Sequence, residues 1–254
     1  NSCKLIINEK SSYLINEQKK NLNSEKIIWL NEVEMDNTFP CIYLANEFFD
    51  ALPIKQFFKK ENNWFERYVN LKTYKKAEFN DKEVDIKTIE QELKFEISKD
   101  QDIIEYSPEA FKYLEKICKI IENRNGGLLI IDYGYLDLKI KNTIQAIKDH
   151  KFSNILEDIG DSDITYNLNF NLYANYINQF EKLDHLITNQ KKFLTSMGIL
   201  QRAEIVSNNI AFSQKTDLFY RIRRLIDEKQ MGELFKVMLI KIKNNKFKTG
   251  FQID

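Results

Sequence analysis

The stretch ANEFFDALP, residues 45–53, directly follows the apolar run CIYL, residues 41–44. The apolar run predicts a buried strand, and the polar pair Asn46 and Glu47 predicts its end. An amide and a carboxylate then lie at the carboxyl edge of a sheet, where open α/β sheets bind ligands. Glu47 and Asp50, one helical turn apart if the segment is helical, could grip a cation, with the two intervening phenylalanines anchoring the turn. The same residue types also fit a strand, a helical turn and a proline stop without function.

The rest of the chain alternates between strand and helix signals. Strands are predicted at about 4–8, 26–30, 42–46, 128–131 and 238–242, and helices at about 11–22, 108–123 and, for the most part, 170–200. Such alternation is typical of a largely parallel, doubly wound sheet, here in a single α/β domain covering residues 1–254. A hairpin signal lies within residues 54–71, and the polar stretch after it has no clear pattern. We therefore predict an inserted region at about 54–104.

The composition argues against several classes of protein. Lysine plus arginine and aspartate plus glutamate both total 38, so no global basic charge exists to bind nucleic acid. No apolar run approaches the ~18 residues of a membrane helix. The three cysteines, Cys3, Cys41 and Cys118, are widely spaced, which argues against a disulfide framework or a zinc site and favours a reducing compartment. We therefore expect no nucleic acid, no membrane span and no metal.

Eight segments spread along the chain resemble, in the same order, the motifs of the MidA-like methyltransferases. They are NEFFDALP at 46–53, WFERYV at 64–69, EYSPEA at 105–110, GLLIIDYG at 127–134, TIQA at 143–146 with His150, DIT at 163–165, a Q-x-x-F-L-x-x-x-G-I pattern at 190–199 and MGELFKV at 231–237. This family includes a mitochondrial complex I assembly factor that methylates arginine. The resemblance implies a class I, S-adenosylmethionine (SAM)-dependent methyltransferase fold with a Rossmann-like, seven-stranded sheet and an antiparallel late strand.

The resemblance also implies that the sheet is N-terminally incomplete. Family members carry an E-x-G-x-G-x-G turn before their second strand, where the backbone approaches the methionine part of SAM. None of the seven glycines follows a first strand, and no G-x-G occurs. The chain is therefore expected to start at the second strand and to correspond to roughly the C-terminal two thirds of a family member.

The resemblance assigns roles to four residues. Glu9 would be the second-strand acid that binds the SAM ribose; the alternative is a charge at a helix N-terminus, favoured by the helix dipole. Asn46 would lie at the cofactor edge. Glu47, helped by Asp50, would hold the guanidinium of an arginine acceptor, because carboxylates pair with that group in fork geometry.

These roles predict a methyltransferase that uses SAM to modify an arginine of a protein substrate. If the family's substrate applies, the acceptor belongs to a subunit of respiratory complex I. The compartment would be the bacterial cytoplasm or, alternatively, the mitochondrial matrix. Direct displacement at a methyl group needs mainly in-line positioning and a desolvated site.

Departures from the family pattern leave alternatives open. Asn167 and Asn169 stand where the family has a histidine and an aspartate, so a role in charge or proton transfer would be lost, whereas structural hydrogen bonding could persist. Of the two histidines, His150 is either a surface residue or a substrate-loop group oriented by Asp149. The alternative function is a non-catalytic, methyltransferase-like interaction module. The absent G-x-G-x-x-G gives little support to a nucleotide-binding oxidoreductase.

Overall fold

The computed structural model describes residues 4–22, 27–33, 39–73, 76–149, 151–157 and 159–252, so the candidate His150 lies outside the described residues. The strands within these residues are β1 (Leu5–Asn8), β2 (Ile27–Leu30), β3 (Cys41–Asn46), β4 (Lys55–Lys60), β5 (Asn63–Thr73), β6 (Lys76–Val84), β7 (Ile103–Tyr106), β8 (Gly126–Tyr135), β9 (Gln145–Lys148), β10 (Lys151–Ser153), β11 (Asp163–Thr165), β12 (Leu168–Asn169), β13 (Leu183–Asn189) and β14 (Phe235–Ile242). The helices are α1 (Ser12–Asn21), α2 (Ile86–Leu93), α3 (Pro108–Arg124), α4 (Phe170–Ile177), α5 (Gln190–Ser196), α6 (Ile199–Ser207), α7 (Phe212–Ile226) and α8 (Met231–Leu234). None of the described helices has the length and apolar character needed to cross a membrane.

The central sheet has the strand order β3-β8-β14-β13. Strand β3 runs parallel to β8, whereas β14 is antiparallel to both β8 and β13. The short strand β12 pairs in parallel with the end of β8 at Gly134 and Tyr135. Within the described chain, β1 and β2 form a separate parallel pair. The antiparallel late strand expected from the sequence is confirmed, and it begins three residues earlier than predicted.

The predicted insertion forms an antiparallel sheet of its own. Its strand order is β6-β5-β4-β7, and the polar stretch without a clear sequence pattern contains β6 and α2. Arg67 on β5 pairs with Asp81 on β6 at 3.0 Å, and its guanidinium lies over the rings of Phe58 and Phe79. This charge pair and its aromatic neighbours join three of the four strands, because cross-strand side-chain pairs stabilise antiparallel sheets.

The prediction of a mostly helical segment at 170–200 is wrong in its middle. Helix α4 ends at Ile177, and the chain then enters β13, which pairs with β14 over residues 183–189. Nearly every residue of β13 is partly buried, so neither face is fully exposed. A strand covered on both faces lacks the alternation of apolar and polar residues that identifies a half-exposed strand.

The main core lies between one face of the central sheet, α3 and α4. Leu128 and Ile130 of β8 and Ile240 of β14 are fully buried there. Helix α3 begins where the Ser107 hydroxyl accepts a hydrogen bond from the Ala110 amide at 3.1 Å, with proline at its first position. This core holds β3 and β8 side by side, so that their carboxyl ends meet at one edge of the sheet.

Candidate active site

The chain turns sharply after β3. Asn46 pairs with Ile131 of β8, and the Glu47 amide donates to the Ile131 carbonyl at 2.9 Å. Glu47 then takes a left-handed backbone conformation with φ of 47°, which is uncommon for a residue other than glycine and tends to occur at functional turns. No helix follows, since residues 49–52 form a turn, so the helical spacing considered for Glu47 and Asp50 is wrong. The two carboxyl groups nevertheless remain close enough to interact electrostatically.

Asp132 of β8 holds this turn through hydrogen bonds to the backbone of the turn. Its side chain is 0% exposed. One carboxyl oxygen, Oδ2, accepts hydrogen bonds from the amides of Phe49 at 3.1 Å and Asp50 at 3.3 Å. The other, Oδ1, accepts from the amide of Tyr133 at 2.9 Å. A buried carboxyl group with three backbone donors has its acceptors satisfied, and it ties the turn directly to the central strand.

Aromatic residues hold the turn from the core side. Phe49 is fully buried and makes edge-to-face contacts with Phe48 and Tyr173, at centroid distances of 5.1 and 5.7 Å. The hydroxyl of Tyr166 donates to the Phe49 carbonyl at 3.1 Å. The expected anchoring of the turn by its phenylalanines is therefore seen, with Phe48 also packed edge-to-face on Tyr113.

Asp50 is the buried acid of the turn. Its side chain is 5% exposed, and its Oδ1 atom has no hydrogen-bond partner in the described structure. Burial, reinforced by the Glu47 carboxylate, raises the pKa of Asp50 to about 6. Burial and the nearby Asp50 raise the pKa of Asp132 to about 8, against the lowering effect of its three amide donors. Because a buried carboxylate oxygen without a partner is costly, a cation or hydrogen-bond donor would be stabilised beside it.

Glu47 is the exposed acid of the turn, and Tyr133 lies beside it. Burial and the nearby Glu47 and Asp50 carboxylates raise the pKa of the Tyr133 hydroxyl. Its ring packs on Phe235 of β14 at a centroid distance of 4.2 Å. The site therefore offers two carboxyl groups at different depths, with aromatic rings around them.

Glu9 directly follows β1, and its side-chain hydrogen bonds are to residues other than the two acids of the turn. Its carboxyl oxygens accept hydrogen bonds from the Ser11 amide at 2.9 Å and from the Gln18 side chain at 3.3 Å. Both contacts fit the alternative role of Glu9, a charge at the N-terminus of α1. The next residue, Lys10, forms an ion pair with Glu109 of α3 at 2.9 Å and lies near the Tyr113 ring that packs on Phe48.

Asn46 is exposed at the carboxyl end of β3.

The two asparagines that depart from the family pattern lie after β11. The Asn169 side chain caps α4 by accepting from the amides of Asn171 and Leu172, at 3.0 and 3.2 Å. The Asn167 amide donates to the Thr143 hydroxyl at 3.0 Å. Asn169 thus performs a structural hydrogen-bonding role, as one of the two alternatives supposed.

The sequence did not single out Asp132, Tyr133 or Tyr166 as site residues. The available signal was the polar end of the apolar strand GLLIIDYG, which places Asp132 and Tyr133 at the same sheet edge as Glu47. No local pattern identifies Tyr166, which reaches the turn from 117 residues away.

Among the described residues, one carboxylate lies where it could reach the ribose end of a SAM molecule. Glu9 stands at a strand end, where a carboxylate can accept hydrogen bonds from ribose hydroxyls. No glycine-rich turn adjoins β1 or β3 in the described chain, so nothing there cradles the methionine end. The same residues include no group of three or more histidine, cysteine, aspartate or glutamate side chains placed to hold a metal ion.

Comparison with known sequences places this chain in a family. Residues 1–188 match the family described as S-adenosyl-L-methionine-dependent methyltransferase. Similar proteins include the protein arginine methyltransferase NDUFAF7, mitochondrial, of Danio rerio, 28% identical over 210 residues, which are 83% of this chain and 49% of that protein. The Homo sapiens protein of the same name is 29% identical over 199 residues, covering 76% of this chain and 43% of its own length. The chain thus spans about half the length of the curated relatives it matches.

Two crystal structures of proteins from Burkholderia thailandensis share the fold. One, bound to S-adenosyl-homocysteine, matches with a TM-score of 0.75 at 21% identity, covering 98% of this chain and 65% of that protein. The other, a native structure, matches with a TM-score of 0.77 at 22% identity, covering 98% and 67%. The expected Rossmann-like methyltransferase fold is therefore confirmed.

Proposed function

Because the chain belongs to this family of S-adenosyl-L-methionine-dependent methyltransferases, we propose that it contributes the acceptor site of an enzyme that methylates arginine in a protein substrate. The names of its relatives support the choice of arginine. Since the chain spans only about half of those relatives, catalysis is proposed for the chain joined to the upstream strand and Gly-rich turn that the family pattern predicts, here termed the extended chain.

One observation carries the proposal. The Oδ1 atom of Asp50 is buried without a partner, in the same turn as the exposed Glu47. A guanidinium is planar, carries five N–H donors and is less strongly hydrated than an ammonium, so it suits a half-buried site with two carboxylates. The donor that Asp50 lacks would then be an N–H group of the arginine acceptor.

The residues of the turn would have different roles in the reaction. Glu47 and Asp50 would hold the guanidinium and localise its positive charge, which frees the lone pair of the nitrogen that reacts. SAM, when bound, supplies an electrophilic methyl group. Methylation releases one N–H proton, and Asp50, with a pKa of about 6, is suited to hold it before release to solvent. Phe48 and the ring of Tyr133 would exclude water from the acceptor.

The cofactor and the partner follow from the same proposal. Glu9 would bind the ribose of SAM, exchanging its contact with Gln18 for the ribose hydroxyls, and Asn46 would face the cofactor edge. We further propose, on the family resemblance, that the acceptor belongs to a subunit of respiratory complex I. Similar proteins carry mitochondrial names, whereas the similar solved structures come from a bacterium, so either the mitochondrial matrix or the bacterial cytoplasm fits.

A second candidate is a non-catalytic, methyltransferase-like interaction module. It is favoured by the absence of a Gly-rich turn beside β1 and β3 in the described chain and by Asn167 and Asn169, which cannot carry charge. The two candidates differ in a measurable way. Only the first predicts transfer of a labelled methyl group to arginine.

The test is Glu47→Gln in the extended chain, assayed with radiolabelled SAM and arginine-containing peptides. Glutamine keeps the shape and removes the charge, so we expect methyl transfer to fall by about 10²–10³-fold, with SAM affinity nearly unchanged by calorimetry. Glu61→Gln is a matched control, because Glu61 also has a left-handed backbone, with φ of 55°, but lies in the hairpin between β4 and β5. Unfolding of Glu47→Gln, or normal transfer by it, would show that Glu47 is structural.

A further inference from the structure

We infer that Asp132 is a positioning residue for the acceptor site, because its carboxylate fixes the backbone of the turn that carries Glu47 and Asp50. The inference rests on the proposed function in one respect, namely that the two acids of the turn hold the substrate. It adds a residue from a different strand, 82 positions from Asp50, that never needs to touch the substrate.

The turn depends on tertiary contacts for its shape. It contains no helix, and its backbone bonds to other elements run from the Glu47 amide to Ile131, from the amides of Phe49 and Asp50 to Asp132, and from the Tyr166 hydroxyl to the Phe49 carbonyl. Two of these four bonds end on one carboxyl oxygen. Through these two bonds, Asp132 of the central strand β8 sets the direction of the Asp50 side chain.

The location of Asp132 is costly for an acid. It lies on the face of β8 that also carries the buried Ile130 and Leu128, and it is fully buried. No ion pair of Asp132 exists among the described residues: Lys236 is its register partner on β14, but the Lys236 ammonium binds Glu233 at 2.9 Å. A buried carboxyl group without a cationic partner depends on its hydrogen bonds to offset the cost of burial.

The geometry requires a carboxyl group, with two oxygens that can accept, and not merely a polar group of the same size. Both oxygens of Asp132 accept, Oδ2 from two amides and Oδ1 from the amide of Tyr133. Asparagine has one acceptor and one NH₂ donor. In one orientation its NH₂ group faces the amides of Phe49 and Asp50, and in the other it faces the amide of Tyr133. Asp132→Asn therefore places donor against donor whichever way the side chain is turned.

Tyr133, the residue after Asp132, acts on the opposite face of the strand. Successive residues of a strand point to opposite faces, so the Tyr133 side chain lies across β8 from that of Asp132. Burial, with the Glu47 and Asp50 carboxylates, raises the pKa of the Tyr133 hydroxyl, so this side chain lies near the exposed acid. The end of β8 therefore positions the deep acid through the backbone and places a tyrosine side chain beside the exposed acid.

Two measurements on Asp132→Asn test the inference. In the 254-residue chain, amide hydrogen exchange at Phe49 and Asp50 should accelerate. In the extended chain, kcat for an arginine peptide should fall by about 10²-fold, the scale of a misplaced reacting group, while KM and the Kd for SAM change little. Exchange at wild-type rates, or a wild-type kcat in a chain that methylates arginine, would overturn it.

Glu105→Gln is the matched control. Glu105 is also buried and accepts from the amides of Thr143 and Ile144, at 3.0 and 3.2 Å, but it does not contact the turn. The Glu105→Gln variant should accelerate amide hydrogen exchange at Thr143 and Ile144 and leave kcat close to that of the wild type. An equal loss of kcat in both variants would mean that replacing any buried acid lowers activity. The positioning role of Asp132 would then be rejected.

A further measurement needs no variant, in case Asp132→Asn does not fold. In the wild-type chain, NMR should detect scalar coupling across the hydrogen bond from the Phe49 amide nitrogen to the Asp132 carboxyl carbon, and its absence would refute the contact. If wild-type extended chain methylates no arginine, the proposed function fails separately. The coupling and exchange results then still decide whether Asp132 holds the turn.

Discussion

Replacing Asp50 by asparagine should stabilise the fold at neutral pH while damaging the site. The Asp50 carboxylate is buried, its Oδ1 has no partner, and both Glu47 and Asp132 lie nearby. Asparagine has nearly the same shape but removes the buried charge. A site that is strained for function is expected to gain stability when the strain is removed.

The size of the effect follows from the pKa of Asp50, which is raised from 3.8 to about 6. One pH unit of displacement corresponds to about 1.4 kcal/mol, so the ionised, folded state is destabilised by at most about 3 kcal/mol. Because the folded state binds the proton more tightly, the penalty is absent below about pH 4 and complete above about pH 6. Allowing for imperfect replacement by the amide, we expect Asp50→Asn to gain about 1–3 kcal/mol at pH 8.

The assay is chemical denaturation of wild type and Asp50→Asn at pH 8 and pH 4. Asp81→Asn serves as a control of opposite sign, because Arg67 and Lys60 lower the pKa of Asp81 and its ionised form stabilises the fold. Asp81→Asn should therefore lose stability at pH 8 and nearly as much at pH 4, because this stabilisation is lost only as the pH falls through the lowered pKa of Asp81. The reasoning is refuted if Asp50→Asn is destabilised at pH 8, or gains as much at pH 4 as at pH 8.

Two further predictions concern the cofactor. In the extended chain, Glu9→Gln should weaken SAM binding by roughly tenfold to hundredfold, the loss of a charge-assisted contact worth about 1.5–3 kcal/mol, with the fold intact. A Kd equal to wild type would leave Glu9 with only its contacts to Ser11 and Gln18. The 254-residue chain alone should bind SAM weakly or not at all in calorimetry, because it lacks the Gly-rich turn, and the extended chain should bind normally. Micromolar or tighter binding by the chain alone would contradict that account.

Local signals were sufficient where a feature depends on neighbours in sequence. The apolar run before Asn46 predicted β3, and Ser107 with Pro108 marks the start of α3, because capping and strand termination involve residues a few positions apart. They failed for β13, where coverage on both faces hides the strand period, and for β6 and α2 in the polar stretch.

The sequence by itself indicated the family through eight ordered segments, the α/β class through the alternation of strand and helix signals, and the two acids of the turn, Glu47 and Asp50, through one contiguous motif. Only the tertiary structure decided how those acids are held. The turn is not a helix, and its shape comes from Asp132 and Tyr166, which lie 82 or more residues away along the chain. A carboxylate at a strand end has the same local sequence whether it faces water or three backbone amides, and the packing of β8 against β3 makes the difference.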